Sequence, residues 1–210
     1  MTWSGEVHIS SIRMGVVYMQ KKPEIIVFAG PNGSGKSTVT KMAKVIRPYI
    51  NADDIKLATG CSDMDAAILV DAQRNDLVDI GESFTFETVL STDRNIKLLK
   101  RAKERGFFIR CIYVLTIDPL INVDRVTVRY VAGGHDVPKD KIISRYRKSL
   151  ALIPELIKVC DICHIYDNTI TPKRIFKKRK DECFYWETTL WNKQQIIDLT
   201  KVENVKQRGY

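Results

Sequence analysis

The chain has 210 residues, 44% hydrophobic and 28% charged, which fits one α/β domain with a large core and does not require two full domains. The 34 Lys and Arg against 25 Asp and Glu leave a formal charge of +9, suited to anionic ligands or an acidic partner. No window holds the roughly eighteen continuous apolar residues of a membrane span, and the N-terminus lacks the long apolar centre of a signal peptide. No membrane partner is therefore expected, and a cytoplasmic location is.

Residues 1–22 show neither helical nor strand periodicity and read as an N-terminal extension, either poorly ordered or a product of start-codon choice. An apolar strand, Glu24–Ala29, then runs straight into Gly30-Pro31-Asn32-Gly33-Ser34-Gly35-Lys36-Ser37-Thr38. Glycines at 30, 33 and 35 let the backbone curl and aim its N–H groups at phosphate oxygens. Lys36 adds a point charge for the outer phosphates, and the Ser37 hydroxyl can hold Mg²⁺. This is the pattern of a phosphate-binding loop for ATP or GTP; the bland alternative is a Gly-rich turn that binds nothing. A helix is predicted from Ser37 to Val45, its positive end facing the anion.

A short strand at Tyr49–Asn51 leads to Asn51-Ala52-Asp53-Asp54. That strand should end at the same sheet edge as the loop, where a carboxylate, Asp53, could orient a substrate hydroxyl and accept its proton. Helix capping by Asp53 or Asp54 explains the pair equally well. After a helix over about Met64 to Ile80, Phe84–Glu87 reads as a strand that delivers Glu87 to the cleft, to hold Mg²⁺ through water or to hold a substrate hydroxyl. Ser91 or Thr92 should cap the next helix, which carries Ile96, Leu98, Leu99 and Ala102 and stops at Gly106.

Phe107–Leu115 is a nearly continuous β-forming run, as expected of a strand covered on both faces. Beyond Asp118-Pro119, Arg125 and Arg129 sit one helical turn apart, ahead of a Gly133-Gly134 break. A second helix from Asp136 or Val137, with Pro138 in its first turn, places Ile142, Tyr146, Leu150 and Ile153 on one face and carries Arg145. Such a hinged basic segment, about 120–150, suits a lid that neutralises transition-state charge through Arg129 and Arg145; a solvated basic helix pair is the alternative. Ile162–Tyr166 is the last central strand, and residues 171–210 read as an appended hairpin and a helix near Asn192–Leu199. Because helices and strands alternate, the sheet should be mainly parallel.

The five cysteines are an odd set and read as reduced, structural thiols, Cys160-Asp161-Ile162-Cys163-His164 included. A zinc site would need further ligands, of which only Cys183 and His135 are obvious. The basic run Lys173 to Lys180 with nearby aromatics reads as a solvated β-hairpin with an apolar face rather than a nucleic-acid site.

GPNGSGKST, INADDI, FTFETVLST, the run from Arg125 through RYVAGGHDVPKDKIISRYRKSL, and YDNT occur in this order. Together they closely resemble the zeta-toxin-like P-loop kinases over about Glu24 to Thr169. The resemblance implies a P-loop kinase-like three-layer α/β fold, with a mainly parallel sheet, helices on both faces and a kinase domain over 23–170. It implies ATP- or GTP-dependent phosphorylation of a hydroxylated small molecule, such as UDP-N-acetylglucosamine, and a small acidic antitoxin as partner. On that likeness Asp53 is the catalytic base, Glu87 and Thr88 belong to the substrate strand, Arg129 clamps phosphates, and Asp167 and Asn168 lie near the nucleotide base. Near the second lid arginine of the best-known toxins this chain instead has Gly133-Gly134-His135, with Arg145 further on. A non-toxic metabolic kinase and a P-loop ATPase with a nucleic-acid role are the competing readings.

Overall fold

Ile25 to Ala29 bury every side chain, and their β-branched and aromatic character makes them β1 (Glu24–Ala29), an interior strand. The computed structural model describes residues 22–43, 45–132 and 137–209. The extension over residues 1–21, the Gly133-Gly134 break and His135 lie outside them. After β1 come α1 (Lys36–Met42), β2 (Tyr49–Ile50), α2 (Ala52–Thr59), α3 (Asp63–Ile80), β3 (Phe84–Thr88), α4 (Arg94–Glu104) and β4 (Phe108–Leu115). The second half holds α5 (Pro119–Val131), α6 (Lys139–Ala151), α7 (Ile153–Val159), β5 (Ile162–Asp167), β6 (Lys173–Arg179), β7 (Glu182–Tyr185), α8 (Lys193–Thr200) and β8 (Lys206–Gln207).

The strands form one sheet in the order β2-β3-β1-β4-β5-β6-β7-β8. From β2 through β5 all neighbours are parallel; β6 and β7 then run as an antiparallel hairpin, and β8 lies parallel to β7. The mainly parallel sheet expected from the alternation of elements is what forms. β1 sits between β3 and β4, so the chain leaves it in both directions across the sheet, and a crevice opens outside the strands' carboxyl ends. The core beneath it includes Val27, Phe84, Phe86, Ile109, Tyr113 and Ile165, and α3, α4, α7 and α8 pack successively against one another.

Local differences from the expected elements have identifiable causes. α1 ends at Met42 rather than Val45. α2 is a helix where only a capping residue was foreseen, with Asn51 as the cap. α4 begins after Asp93, so neither Ser91 nor Thr92 caps it; Asp93 instead pairs with Lys97 at 2.8 Å, one turn along the helix. The single helix expected through Ile153 breaks at Leu152, because Pro154 has no N–H to continue the ladder and suits the first turn of α7. Pro138 stands just before α6, not within it.

All five cysteines are free, and Cys111, Cys160 and Cys163 are buried in the core. Cys111 and Cys163 are register partners on β4 and β5. Burial and the cations Arg174, Lys177 and Arg110 hold the His164 imidazole down to about 4, so it is neutral near pH 7. Among the described residues no group of three or more His, Cys, Asp or Glu is placed to hold a metal. On the hairpin, Ile175 and Phe176 are buried while Lys173, Arg179 and Lys180 are exposed. The Arg174 guanidinium lies 4.2 Å from the Trp186 ring centre and that of Arg208 4.7 Å from Phe184, so these aromatics are covered by the chain's own cations. Among the described residues no helix is long and apolar enough to cross a membrane.

Candidate active site

The loop after β1 is shaped by close backbone approaches that only glycine permits. Gly30, Gly33 and Gly35 have φ of 143°, 75° and 92°. A Cβ on Gly30 would lie 2.0 Å from the Val114 carbonyl oxygen, and one on Gly35 would lie 2.1 Å from the Asn168 amide nitrogen. Two buried asparagines brace the loop from behind. Asn122 donates to the Asn32 carbonyl at 2.6 Å and in turn accepts from the Thr116 hydroxyl, while Asn168 donates to the Ser34 carbonyl at 2.8 Å. This bracing use of Asn168 was not foreseen; its side chain touches the loop and does not line the cleft.

A cleft of about 490 Å³ opens where the residues following β1, β2 and β3 converge. It is lined by five basic side chains, Lys36, Arg74, Arg94, Arg125 and Arg129, and three acidic ones, Asp53, Asp71 and Glu87. Asn32, Gly33, Gly35, Ser37, Thr38 and Thr88 also face it. Arg145, on α6, is half-buried and is not among the lining residues. Of the two candidate lid arginines, the fold therefore brings only Arg129 to the cleft, where Arg125 joins it and also donates to the Thr169 carbonyl at 3.0 Å.

Lys36 folds back onto the loop, its ammonium donating to the carbonyls of Gly30 and Pro31 at 2.8 and 3.1 Å. Burial brings its pKa down to about 8, with the Arg129 charge acting in the same direction and the Glu87 and Asp53 carboxylates opposing. Glu87 accepts from the Thr40 hydroxyl at 3.0 Å, which ties the end of β3 to α1. Beside it, burial first and the Glu87 charge second push the Tyr49 phenol well above its ordinary value, so it remains a neutral hydrogen-bond donor.

Asp53 and Asn51 divide the work that the sequence left open between them. The Asn51 side-chain oxygen accepts the N–H of Asp53 at 3.2 Å and so caps α2, leaving the exposed Asp53 carboxylate on the cleft wall. Sequence reasoning missed Asn51 in this role, although Asn two residues before an acidic first turn is a capping signal. It also missed Arg74, Asp71 and Asn95, which line the cleft from α3 and α4 and carry no motif of their own.

The residues fit a nucleoside triphosphate with Mg²⁺. The loop brings the Ser37 side chain and the Lys36 ammonium to the cleft wall, where a hydroxyl and a cation can meet phosphate oxygens. Ser37 and Glu87 offer the oxygen donors that Mg²⁺ takes when phosphates and water complete its shell.

No family model matches the chain. An uncharacterized protein of Haemophilus influenzae is 29% identical over 141 residues, which span 64% of this chain and 99% of that protein. A chain of the PezAT chromosomal toxin–antitoxin system of Streptococcus pneumoniae superposes with a TM-score of 0.54 at 17% identity, over 75% of this chain and 71% of that one. The AvrRxo1-ORF1:AvrRxo1-ORF2 structure with sulphate ions gives 0.60 at 15% identity, over 85% of this chain and 64% of that one. The same pair with ATP gives 0.55 at 14% identity, over 74% and 58%. At such identities the likeness bears on architecture alone, and the chain shares the fold of these chains over about three quarters or more of its length.

Proposed function

We propose that this chain is a kinase that transfers the γ-phosphoryl group of ATP or GTP to a hydroxyl of a small metabolite. The observation that carries this reading is the exposed Asp53 carboxylate, which has no hydrogen-bond partner among the described residues and lines the same cleft as Lys36, Ser37 and Arg129. A nucleotide-binding loop alone serves motors and switches equally; an uncommitted carboxylate beside it is what an alcohol acceptor needs. The nucleotide supplies the phosphoryl group; Ser37 and Glu87 would hold a Mg²⁺ ion, which would draw negative charge from the phosphate oxygens. Asp53 takes the proton of the acceptor hydroxyl as its oxygen bonds to phosphorus and the bond to the leaving diphosphate breaks. Lys36 and Arg129 hold the charge that builds on the transferred and leaving oxygens.

The acceptor we favour is a nucleotide sugar of the UDP-N-acetylglucosamine type, and the physiological setting a toxin restrained by a small acidic antitoxin. The fold likeness to chains from the PezAT and AvrRxo1-ORF1:AvrRxo1-ORF2 pairs and the +9 charge support this setting. The test is incubation of the protein with γ-labelled ATP, Mg²⁺ and either UDP-N-acetylglucosamine or the small-molecule fraction of a cell extract. A labelled small molecule formed by wild type and not by Lys36→Ala is the expected result. Release of inorganic phosphate alone would replace the kinase reading with an ATPase.

A further inference from the structure

Behind the acceptor end of the cleft a chain of three side chains is wired in one direction only. Arg74 of α3 is 5% exposed, with its guanidinium 4.9 Å from the Phe86 ring centre. It donates through Nε to the Val70 carbonyl at 3.0 Å and through one terminal nitrogen to Asn95 Oδ1 at 2.7 Å. A guanidinium has no lone pair to offer, so the Asn95 atom facing it must be the oxygen. The other end of that amide is then NH₂, and it donates to the Thr88 hydroxyl oxygen at 2.8 Å. The same oxygen also accepts the N–H of Leu90 at 2.9 Å. Leu90 reaches it by adopting a left-handed backbone, φ 55°, which its burial at 1% exposure helps to hold.

A hydroxyl has two acceptor sites and one proton. Both acceptor sites of Thr88 are filled from within the protein, and its side chain faces the cleft. Only donation is left to it. We infer that Asn95, oriented by Arg74, is a positioning residue that makes Thr88 a one-way donor, so that the acceptor substrate must present an oxygen lone pair to Thr88. This inference rests on the kinase reading above and narrows its substrate class to hydroxyl compounds carrying a second, hydrogen-bond-accepting oxygen near the reacting one. A substrate group able only to donate, such as an ammonium, is disfavoured there, because it would meet a proton where it needs a lone pair.

Asn95→Asp tests this with almost no change of shape. The introduced carboxylate still accepts from Arg74 but cannot donate to Thr88; it draws the Thr88 proton toward itself and turns a lone pair to the cleft. With the small-molecule fraction of a cell extract as acceptor and labelled ATP as donor, N95D should lower kcat/KM for the acceptor about tenfold, the scale of one hydrogen bond. ATP affinity and the thermal midpoint should stay near wild type. Thr88→Val should cost a similar factor, and N95D added to T88V should cost nothing more, since the two changes remove the same donation. Additive losses, or an N95D protein as active as wild type, would overturn the inference while leaving the kinase reading intact. The wiring is also read without any acceptor, from solvent exchange of the Asn95 side-chain amide protons by NMR. Exchange should be slow in wild type and fast in T88V; equally fast exchange in both would overturn the inference even if phosphate transfer is seen. If wild type labels no compound, the kinase reading fails, and with it the substrate class; the wiring still stands or falls on the exchange rates.

Discussion

The side-chain oxygen of Asn51 holds the backbone N–H of Asp53, so the cap of α2 is supplied by one residue and the carboxylate of the other, with no partner among the described residues, is left on the cleft wall. Asp53→Asn should therefore leave the fold and ATP binding unchanged and lower acceptor phosphorylation by about a hundredfold or more, the usual scale of general-base catalysis. Asn51→Ala should do the converse, costing about 1 kcal/mol of stability through the lost cap. Acceptor labelling at equal nucleotide occupancy, with thermal melts of both variants, checks the division. Equal labelling by D53N and wild type would remove Asp53 from catalysis.

Lys36 gives a pH signature. Its folded pKa of about 8 means that the nucleotide-free protein loses this positive charge as pH rises through 8, whereas bound phosphates favour the protonated form. ATP affinity should fall above pH 8, and binding there should take up a proton. Calorimetry at pH 8.5–9 in two buffers of different ionisation enthalpy reads the uptake directly, and Lys36→Ala should abolish it. A pH-independent affinity from 7 to 9 would contradict this account of the lysine.

The two candidate lid arginines should separate. Arg129 lines the cleft, so Arg129→Ala should lower turnover more than it weakens ATP binding, as expected of a charge serving the transition state. Arg145 is not among the lining residues, and Arg145→Ala should change turnover by less than about threefold. Single-turnover rates set beside ATP affinities distinguish the pair; equal losses would return Arg145 to the machinery.

Asn168 offers a choice between bracing the loop and reading the base. Its amide donates to the Ser34 carbonyl and sits against Gly35, so Asn168→Ala should weaken ATP and GTP binding by the same factor, about tenfold for one buried hydrogen bond. A changed ATP-to-GTP preference would show instead that the residue meets the base.

What the sequence determined by itself is local. The Gly30, Gly33, Gly35, Lys36 and Ser37 spacing after an apolar strand specifies the tight loop behind β1 and the charge it carries, because turn geometry and charge act within a few residues. The strands from Glu24 to Tyr166 and the β6–β7 hairpin could be read from runs of β-forming side chains and their breaks. Boundaries failed where a neighbour one or two positions away took over, as Asn51 did from Asp53 and as Pro154 did in splitting the helix before it. The tertiary structure alone decided which charges share the cleft. Arg129 and Arg145 look equivalent in a helical reading, yet packing brings only one of them to the wall. The Arg74–Asn95–Thr88 chain spans two helices and a strand, and Asn168 meets Ser34 across 134 positions. Such contacts form only once the sheet order is set, since hydrogen bonds between distant residues depend on where the folded backbone puts them and on neither residue's own preference.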